Sequence, residues 1–552
     1  MVDIDSPVPV PSGVLEAFWR YDAALLANDR PVLDELFLPG PDTLRGDGRN
    51  VLVGHDAISG FRSARAAIPT RAVTRLHVRV LAADHVLIMA RTADGAATGL
   101  QTQLWRLTVA GWRVAAAHVS LPASPPSPPA PTPPALAAAT PPFDLSVWRV
   151  VGAPLVPALG PGPLDGCGVA VKDLFAVAGY PVGGGVPAYL AEQAPQPASA
   201  ACVTALQRAG AHLVGIAQTD EFAYSIAGRN AHYGAAPNPA APWRLGGGSS
   251  SGPAAAVALG QAEIGLGTDT AGSIRVPASY QGLVGFRPTH GAIEADGVLP
   301  LAPSFDTVGW LTRDIAASRA VARVLLPPAP PGSPAPPASP ASPGSSVARA
   351  IRLPAAERLA EPATLALFAE RVRQLEAAGS LPAAEPVDLP EETLEEWFTA
   401  FRTVQAYEAW QAHGPWITGH PGALGEDVAA RFTAAAAVTE DQAADGRAAV
   451  AKARADLTGW LDGAVLVLPT APGPAPLRAA DAAEIDDVRG RTLRMSCLAP
   501  LAGAPAVSLP LTGHVAPVGF CLVGAPGSDA ALLALAAGLD APEGTDVLRG
   551  NP

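Results

Sequence analysis

At 552 residues the chain is too long for one ordinary domain, and its 49% apolar and 16% charged residues argue against a disordered protein. The formal net charge of −13 argues against a nucleic-acid partner, because such a partner requires a concentrated basic face. The four cysteines lie too far apart for a zinc site or a disulfide framework, so the sequence predicts no metal.

The first residues, MVDIDSPVPVPSG, lack the basic and apolar segments of a secretory signal. No uninterrupted apolar run reaches the roughly 20 residues that span a bilayer. We therefore expect a cytoplasmic protein with no membrane partner.

The N-terminal segment, residues 1–123, reads as an α+β domain. Apolar residues recur at helical spacing in VLEAFWRYDAALLANDRPVLDELF, whereas TRLHVRVLAADHVLIMARTA and TGLQTQLWRLTVAGWRVAAAHVSL predict three or four antiparallel strands. One long helix packed on a curved antiparallel sheet is a cone. This order of elements resembles the nuclear-transport-factor-like superfamily, including its SnoaL-like members.

A proline-rich segment separates this domain from the rest of the chain. Residues 124–147 are too rich in proline for a helix or a central strand, which predicts an extended linker. Residues 148–552 then form one large domain, interrupted at 326–347 by a Pro/Ser-rich surface loop. Helical stretches such as PATLALFAERVRQLEAAG alternate with apolar runs such as GAVLVLPT, which predicts an α/β/α domain around a central mixed sheet.

Three motifs of the large domain carry reactive side chains: GVAVKDLFAV with Lys172, WRLGGGSSSGPAAAVALG with Ser249, and GLGTDTAGSIRVPAS with Ser273. The chain has only two lysines, while arginine fills the other basic positions. A buried lysine can lose its proton and act as a base, which arginine does not do, and a serine needs such a base to become a nucleophile. The motifs therefore predict a base and nucleophile set without histidine.

Other readings of GGGSSSG remain open on the residues alone. It can be a flexible loop, and its G-S-S-S-G matches the G-x-S-x-G elbow of α/β-hydrolases. The elbow requires a later acid and histidine, for which His413, His420 and His514 are available. A phosphate-binding loop is not indicated, because G-K-[ST] is missing.

Taken together, GGGSSSGPAAAVALG and GTDTAGSIRVPAS closely resemble the signature of the amidase signature family, serine hydrolases of amides. QTDEFAYSIAGRN and GLVGFRPTHG extend the resemblance, which covers roughly residues 148–545. It implies that Ser273 is the nucleophile, that Ser249 is a bridging serine after a cis bond, and that Lys172 is the base. It also implies an oxyanion hole, and we expect Asp269 and Arg275 to pair and to hold the loop in place. The oxyanion amides are those of Thr270, Ala271, Gly272 and Ser273, and the supporting residues are Ser250, Asp269 and Arg275.

The combination of the two domains resembles the enzymes of cyanuric acid (s-triazine) breakdown. There an amidase releases ammonia from 1-carboxybiuret, and a companion of the N-terminal type decarboxylates 1,3-dicarboxyurea to allophanate. The resemblance implies a small amide substrate and no cofactor. Two alternatives stay open: an amidase for aryl or indole acetamides whose N-terminal domain only dimerises, and a non-catalytic binding or assembly protein.

A cone that binds a doubly carboxylated urea needs inward cations and hydrogen-bond donors. Tyr21 is our candidate proton donor and Arg45 our candidate carboxylate ligand. Further candidates are Arg49, Arg62, Arg65, Gln101, Gln103 and His118. A sealed cone that serves only dimerisation is the competing interpretation, and a homodimer is expected in either case. In the large domain, Arg402 and Tyr407 are candidates for substrate contact.

Overall fold

The computed structural model describes residues 3–6, 8–46, 51–63, 72–94, 97–120, 143–327, 348–511 and 513–539. The chain divides into two compact units, Met1–Ala137 and Ala138–Pro552. Residues 124–142 of the predicted linker and 328–347 of the predicted surface loop lie outside the described residues. The end of the predicted linker packs into the second unit, since Val147 is fully buried and its carbonyl accepts from the amide of Gln218.

The N-terminal unit places helices against a seven-stranded sheet of order β1-β4-β5-β6-β7-β2-β3. Val14, Phe18 and Tyr21 share the buried face of the first helix because they lie four and three residues apart. The second helix begins after Asp29, whose side chain accepts from the amide of Val32. A proline in its first turn favours the same start. The elements are β1 Asp3–Asp5, α1 Val14–Ala27, α2 Arg30–Leu36, β2 Leu44–Gly46, β3 Val51–Val53, α3 His55–Ser63, β4 Ala72–Ala82, β5 His85–Asp94, β6 Ala97–Thr108 and β7 Gly111–Ser120.

A bulge in β7 corrects one sequence prediction. Trp105 pairs with Val114 but Leu104 pairs with Ala116, so β7 has one extra residue at this point. The inward alternation of β7 shifts by one after the bulge, and Ala117 rather than His118 is buried. His118 is therefore exposed on the outer face of the sheet, and our prediction that it lines the inner pocket is wrong.

The second unit is built on an eleven-stranded mixed sheet of order β15-β14-β16-β18-β17-β12-β13-β11-β9-β10-β8. Its central strands are buried along their whole length, as expected for a sheet covered by helices. This is the predicted α/β class. The strands are β8 Trp148–Val156, β9 Gly168–Lys172, β10 His212–Ala217, β11 Ile264–Thr268, β12 Val284–Arg287, β13 Val308–Thr312, β14 Arg349–Arg352, β15 Ala384–Pro386, β16 Ala464–Pro469, β17 Ala506–Leu511 and β18 Val518–Val523.

Thirteen α-helices are described in this unit, together with a short 3₁₀ helix, Glu221–Ala223. The α-helices are α4 Pro187–Glu192, α5 Ala201–Arg208, α6 Ser251–Ala258, α7 Arg275–Gln281, α8 Ile315–Leu325, α9 Pro354–Glu357, α10 Pro362–Ala377, α11 Glu391–Gly419, α12 Glu426–Ala436, α13 Glu440–Leu461, α14 Ala482–Ser496, α15 Leu498–Ala502 and α16 Asp529–Leu539. Strands β9 and β11 run parallel and side by side, so their carboxyl ends meet at one edge of the sheet. That edge carries Lys172 and Thr268, the last residues of the two strands.

Candidate active site

Lys172 is the last residue of β9 and lies where β9 and β11 end side by side. Its side chain is fully buried, and its Nζ donates to Ser249 Oγ at 2.8 Å and to Thr268 Oγ1 at 2.8 Å. Burial lowers the pKa of Lys172 to about 7, although the charges of Asp220, Asp306 and Asp269 act in the opposite direction. A large share of this side chain is therefore a neutral amine near pH 7, able to accept a proton.

Ser249 is held by the segment that leads into α6. The peptide bond between Gly248 and Ser249 is cis, the conformation that the family resemblance implies. The Ser249 carbonyl accepts from Thr219 Oγ1 at 2.9 Å. A Cβ at Gly248 would lie 2.4 Å from Asp220 Oδ2, so this close approach requires glycine.

The loop that carries Ser273 is wrapped around the carboxylate of Asp269. The amides of Gly272, Ile274 and Arg275 donate to this carboxylate at 2.9, 3.2 and 3.3 Å. The Arg275 side chain donates to both of its oxygens, and Arg287 adds a second guanidinium at 3.4 Å. Burial alone would raise the pKa of Asp269, but the two guanidinium groups hold it well below its ordinary range. The loop thus has an ionised carboxylate at its centre.

These contacts correct one prediction about the oxyanion hole. The Gly272 amide is committed to Asp269, so it does not point freely to a substrate oxygen. Among the described residues, the amides of Thr270, Ala271 and Ser273 have no such acceptor. Gly272 instead supplies the turn: its φ is +120°, and a Cβ there would lie 2.9 Å from the Val276 side chain.

The site contains several residues that the sequence did not indicate. Ser496 Oγ donates to the Ala271 carbonyl at 2.5 Å, and the Ser496 carbonyl accepts from Arg275 Nη1 at 3.0 Å. Thr270 Oγ1 donates to Asp306 Oδ1 at 2.5 Å.

Ser250, which we predicted to support the site, donates from its Oγ to the Thr268 carbonyl at 3.3 Å. Thr268 stands within a quoted motif, but Ser496 lies far along the chain and no local pattern marks it.

A family model described as Amidase matches residues 158–533, which is more than half of the chain. The chain belongs to the amidase family. It is 35% identical to Amidase 1 of Arabidopsis thaliana over 411 residues, or 71% of this chain and 97% of the relative. It is 33% identical to 2-amino-5-chloromuconic acid deaminase of Comamonas testosteroni over 399 residues, or 69% of this chain and 82% of the relative.

The amidase unit has the same fold as a solved structure from work on a vestigial protein complex. That work concerned the evolutionary origins of an s-triazine catabolic enzyme. The TM-score is 0.61 at 29% identity, over 69% of this chain and 84% of that chain. A second family model, described as AtzH-like, matches residues 2–125. The protein is thus an amidase, a hydrolase acting on C–N amide bonds, and the non-catalytic alternative is set aside.

A small pocket of the amidase unit opens beside Ser273. The space between its lining residues, including open solvent, is about 260 Å³. Gln405 of α11 lines it, whereas the predicted Tyr407 does not. Residues two positions apart on a helix are separated by about 200° around its axis. Tyr407 therefore lies on another face of α11, where its ring contacts the Arg447 guanidinium. The lining residues are Ala223, Tyr224, Ser225, Ile226, Thr270, Ala271, Ser273, Leu301, Gln405, Arg489 and Leu493.

The N-terminal unit has its own group of buried polar side chains. Arg45 of β2, Ala117 of β7 and Gln103 of β6 pair in one row across the sheet, and all three are buried. Gln103 Oε1 accepts from Trp105 Nε1 at 3.1 Å, and Trp105 packs edge-on against the ring of Tyr21. Tyr21, Arg45 and Gln103 thus belong to the same side of the sheet.

Arg62 of α3 extends this group. Its Nη1 donates to Asp34 Oδ1 at 2.9 Å, and its guanidinium lies over the Phe37 ring at 4.1 Å. Within the described residues, Arg62 Nη2 and Gln103 Nε2 are buried donors without an acceptor. Two further candidates, Arg49 and Arg65, lie outside the described residues.

Within the ranges described above, no helix is both long enough and apolar enough to cross a membrane. The same ranges contain no group of three or more histidine, cysteine or carboxylate side chains that could bind a metal.

Proposed function

We propose that the amidase unit hydrolyses a small linear amide and releases ammonia, with Ser273 as nucleophile, Ser249 as proton relay and Lys172 as base. One observation carries this proposal: a fully buried lysine amine, with its pKa lowered to about 7, lies 2.8 Å from the Ser249 hydroxyl. A base in this protonation state is what a serine nucleophile needs near neutral pH.

The reaction follows from these groups. Ser273 Oγ attacks the amide carbon and passes its proton to Ser249, which passes its own proton to Lys172. The amides of Thr270, Ala271 and Ser273 stabilise the oxyanion. When the C–N bond breaks, the proton returns through Ser249 to the leaving nitrogen, and ammonia departs. Water then hydrolyses the acyl-serine, with Lys172 again the proton acceptor.

The acid limb of the pH profile tests this assignment. Protonated Lys172 cannot accept a proton, so kcat/KM for ammonia release should rise with pH and level off above an apparent pKa of about 7. Lys172→Met should lower kcat roughly 10²- to 10⁴-fold and remove that limb. Lys452→Met, at the exposed second lysine, is the matched control and should keep the wild-type profile. An unchanged limb in Lys172→Met would contradict the assignment.

For the substrate we propose 1-carboxybiuret. Support comes from the AtzH-like match of the N-terminal unit and from the s-triazine-related neighbour. Hydrolysis of the terminal amide with one water gives ammonia and 1,3-dicarboxyurea. An aryl or indole acetamide is the alternative, in which the N-terminal unit only dimerises, and exposed Met89 and Leu100 on the outer sheet face would suit that role.

The N-terminal unit is proposed to decarboxylate 1,3-dicarboxyurea. Two observations favour an anionic ligand there: the buried row of Arg45 and Gln103, and the buried donors Arg62 Nη2 and Gln103 Nε2 that lack an acceptor within the described residues. Such donors match a carboxylate. Loss of carbon dioxide breaks an N–C bond, and Tyr21 would supply the proton that the nitrogen takes up, giving allophanate.

A carbon-13 NMR and ammonia time course on freshly made 1-carboxybiuret tests both steps. Wild type should release ammonia and form allophanate, Ser273→Ala should do neither, and Arg45→Ala or Gln103→Leu should release ammonia but accumulate 1,3-dicarboxyurea. Thr102→Val, on the outer sheet face, is the control for β6 and should behave as wild type. Unchanged allophanate formation in both pocket variants would leave dimerisation as the role of this unit. No turnover by wild type would direct attention to aryl amides.

A further inference from the structure

Three arginines from separate helices act electrostatically on one wall of the pocket beside Ser273. Arg489 of α14 lines the pocket itself. Arg431 of α12 donates to the carbonyl of Tyr224, a lining residue, at 3.1 Å. The charges of Arg431 and Arg402 both act on Arg489 and on the Tyr224 phenol. The arginines make this wall positive, although Asp427 and Asp486 pair with two of them.

Arg489 is mostly buried. Its side chain is only 15% exposed, and its Nε has no acceptor within the described part of the chain. The carboxylate paired with it, Asp486 on the preceding turn, lies 3.6 Å from Nη1 and is 71% exposed. That separation exceeds hydrogen-bond length, and an ion pair with so exposed a carboxylate contributes little. The Asp486 pair therefore does not explain why a guanidinium is buried at this point.

Charge on Arg489 persists at neutral pH. Burial and the like charges of Arg431 and Arg402 lower its pKa, but only to about 10, three units above neutrality. A buried cation with an unused donor is unfavourable unless an anion neutralises it. A bound ligand with a negative group would supply both the charge and the acceptor.

We infer that Arg489 binds a carboxylate of the substrate and thereby selects short linear amides that carry a negative charge. This inference rests on the proposed function, which places the scissile amide at Ser273. Because Arg489 and Ser273 line the same pocket, the carboxylate and the amide carbonyl must be only a few atoms apart. Gln405, a buried lining residue, offers an amide to the same ligand.

Two substrates that differ only in the carboxylate provide the test: succinamate and butanamide. Wild type should have a higher kcat/KM for succinamate. Arg489→Met should lower that value roughly 10- to 100-fold, mainly through KM, and leave butanamide hydrolysis within about twofold. The control is Arg491→Met on the same helix, which pairs with Asp487 and does not line the pocket. It should leave the preference unchanged.

Binding is measured separately from turnover. Succinamate should bind to Ser273→Ala by titration calorimetry, and the double variant Ser273→Ala/Arg489→Met should lose that binding at least tenfold. Equal binding by the two proteins, or an equal loss on both substrates in Arg489→Met, would overturn the inference. Hydrolysis of both amides by Ser273→Ala would instead overturn the proposed function, and the calorimetry would still decide the role of Arg489.

Discussion

Ser273→Ala is expected to lower ammonia release by about 10⁴-fold or more and to leave substrate binding intact. The alanine variant removes the atom that forms the acyl bond but none of the hydrogen bonds that hold the loop, since those run to Asp269. Single-turnover ammonia assays give the rate, and calorimetry with succinamate gives the affinity.

Ser279→Ala is the matched control for this prediction. Ser279 is a buried serine on α7, six residues after Ser273. Its loss should change kcat by less than about threefold. Residual activity of Ser273→Ala within about tenfold of wild type would show that another group attacks the amide, and the assignment of the nucleophile would be wrong.

Asp269→Ala is expected to lower the free energy of unfolding of the amidase unit by about 3–5 kcal/mol. The substitution leaves Arg275 and Arg287 buried without their counter-ion and leaves three loop amides without an acceptor. Activity should fall with stability, because the Ala271 and Ser273 amides lose their fixed direction. Urea unfolding of the full chain, followed by circular dichroism, measures the change.

Asp296→Ala serves as the comparison, because Asp296 is exposed and outside the site. Its effect should stay within about 0.5 kcal/mol. An Asp269→Ala protein as stable as wild type would show that the two guanidinium groups find other partners, and that the carboxylate does not organise the loop.

The sequence was most informative where function depends on short segments. Lys172 and Ser249 are marked by their motifs, and their side chains meet in the structure. The contact of Lys172 with Thr268 follows from the parallel strands β9 and β11, which end at one edge of the sheet. The position of His118 was not predictable, because a bulge of one residue reverses every later side chain of β7 and leaves no clear trace in the sequence.

Two other features of the site were also beyond the sequence. The commitment of the Gly272 amide to Asp269 depends on the local turn of the loop, which the motif letters do not specify. Ser496 and Arg489 reach the site from α14, more than 200 residues after Ser273. A lone arginine or serine on a helix usually faces solvent, so only the packing of α14 distinguishes these two.

In our proposal, helix α14 contributes both to the support of the Ser273 loop and to the selection of substrate. Ser496 supports the catalytic loop through the Ala271 carbonyl, and Arg489 lies seven residues, or about two turns, earlier on the same helix. Transplanting the whole helix from a relative would exchange the substrate wall but also displace the loop support, so a new preference would come with a slower enzyme. Point changes at position 489 alone avoid that linkage, which makes this position the natural first choice for a directed library.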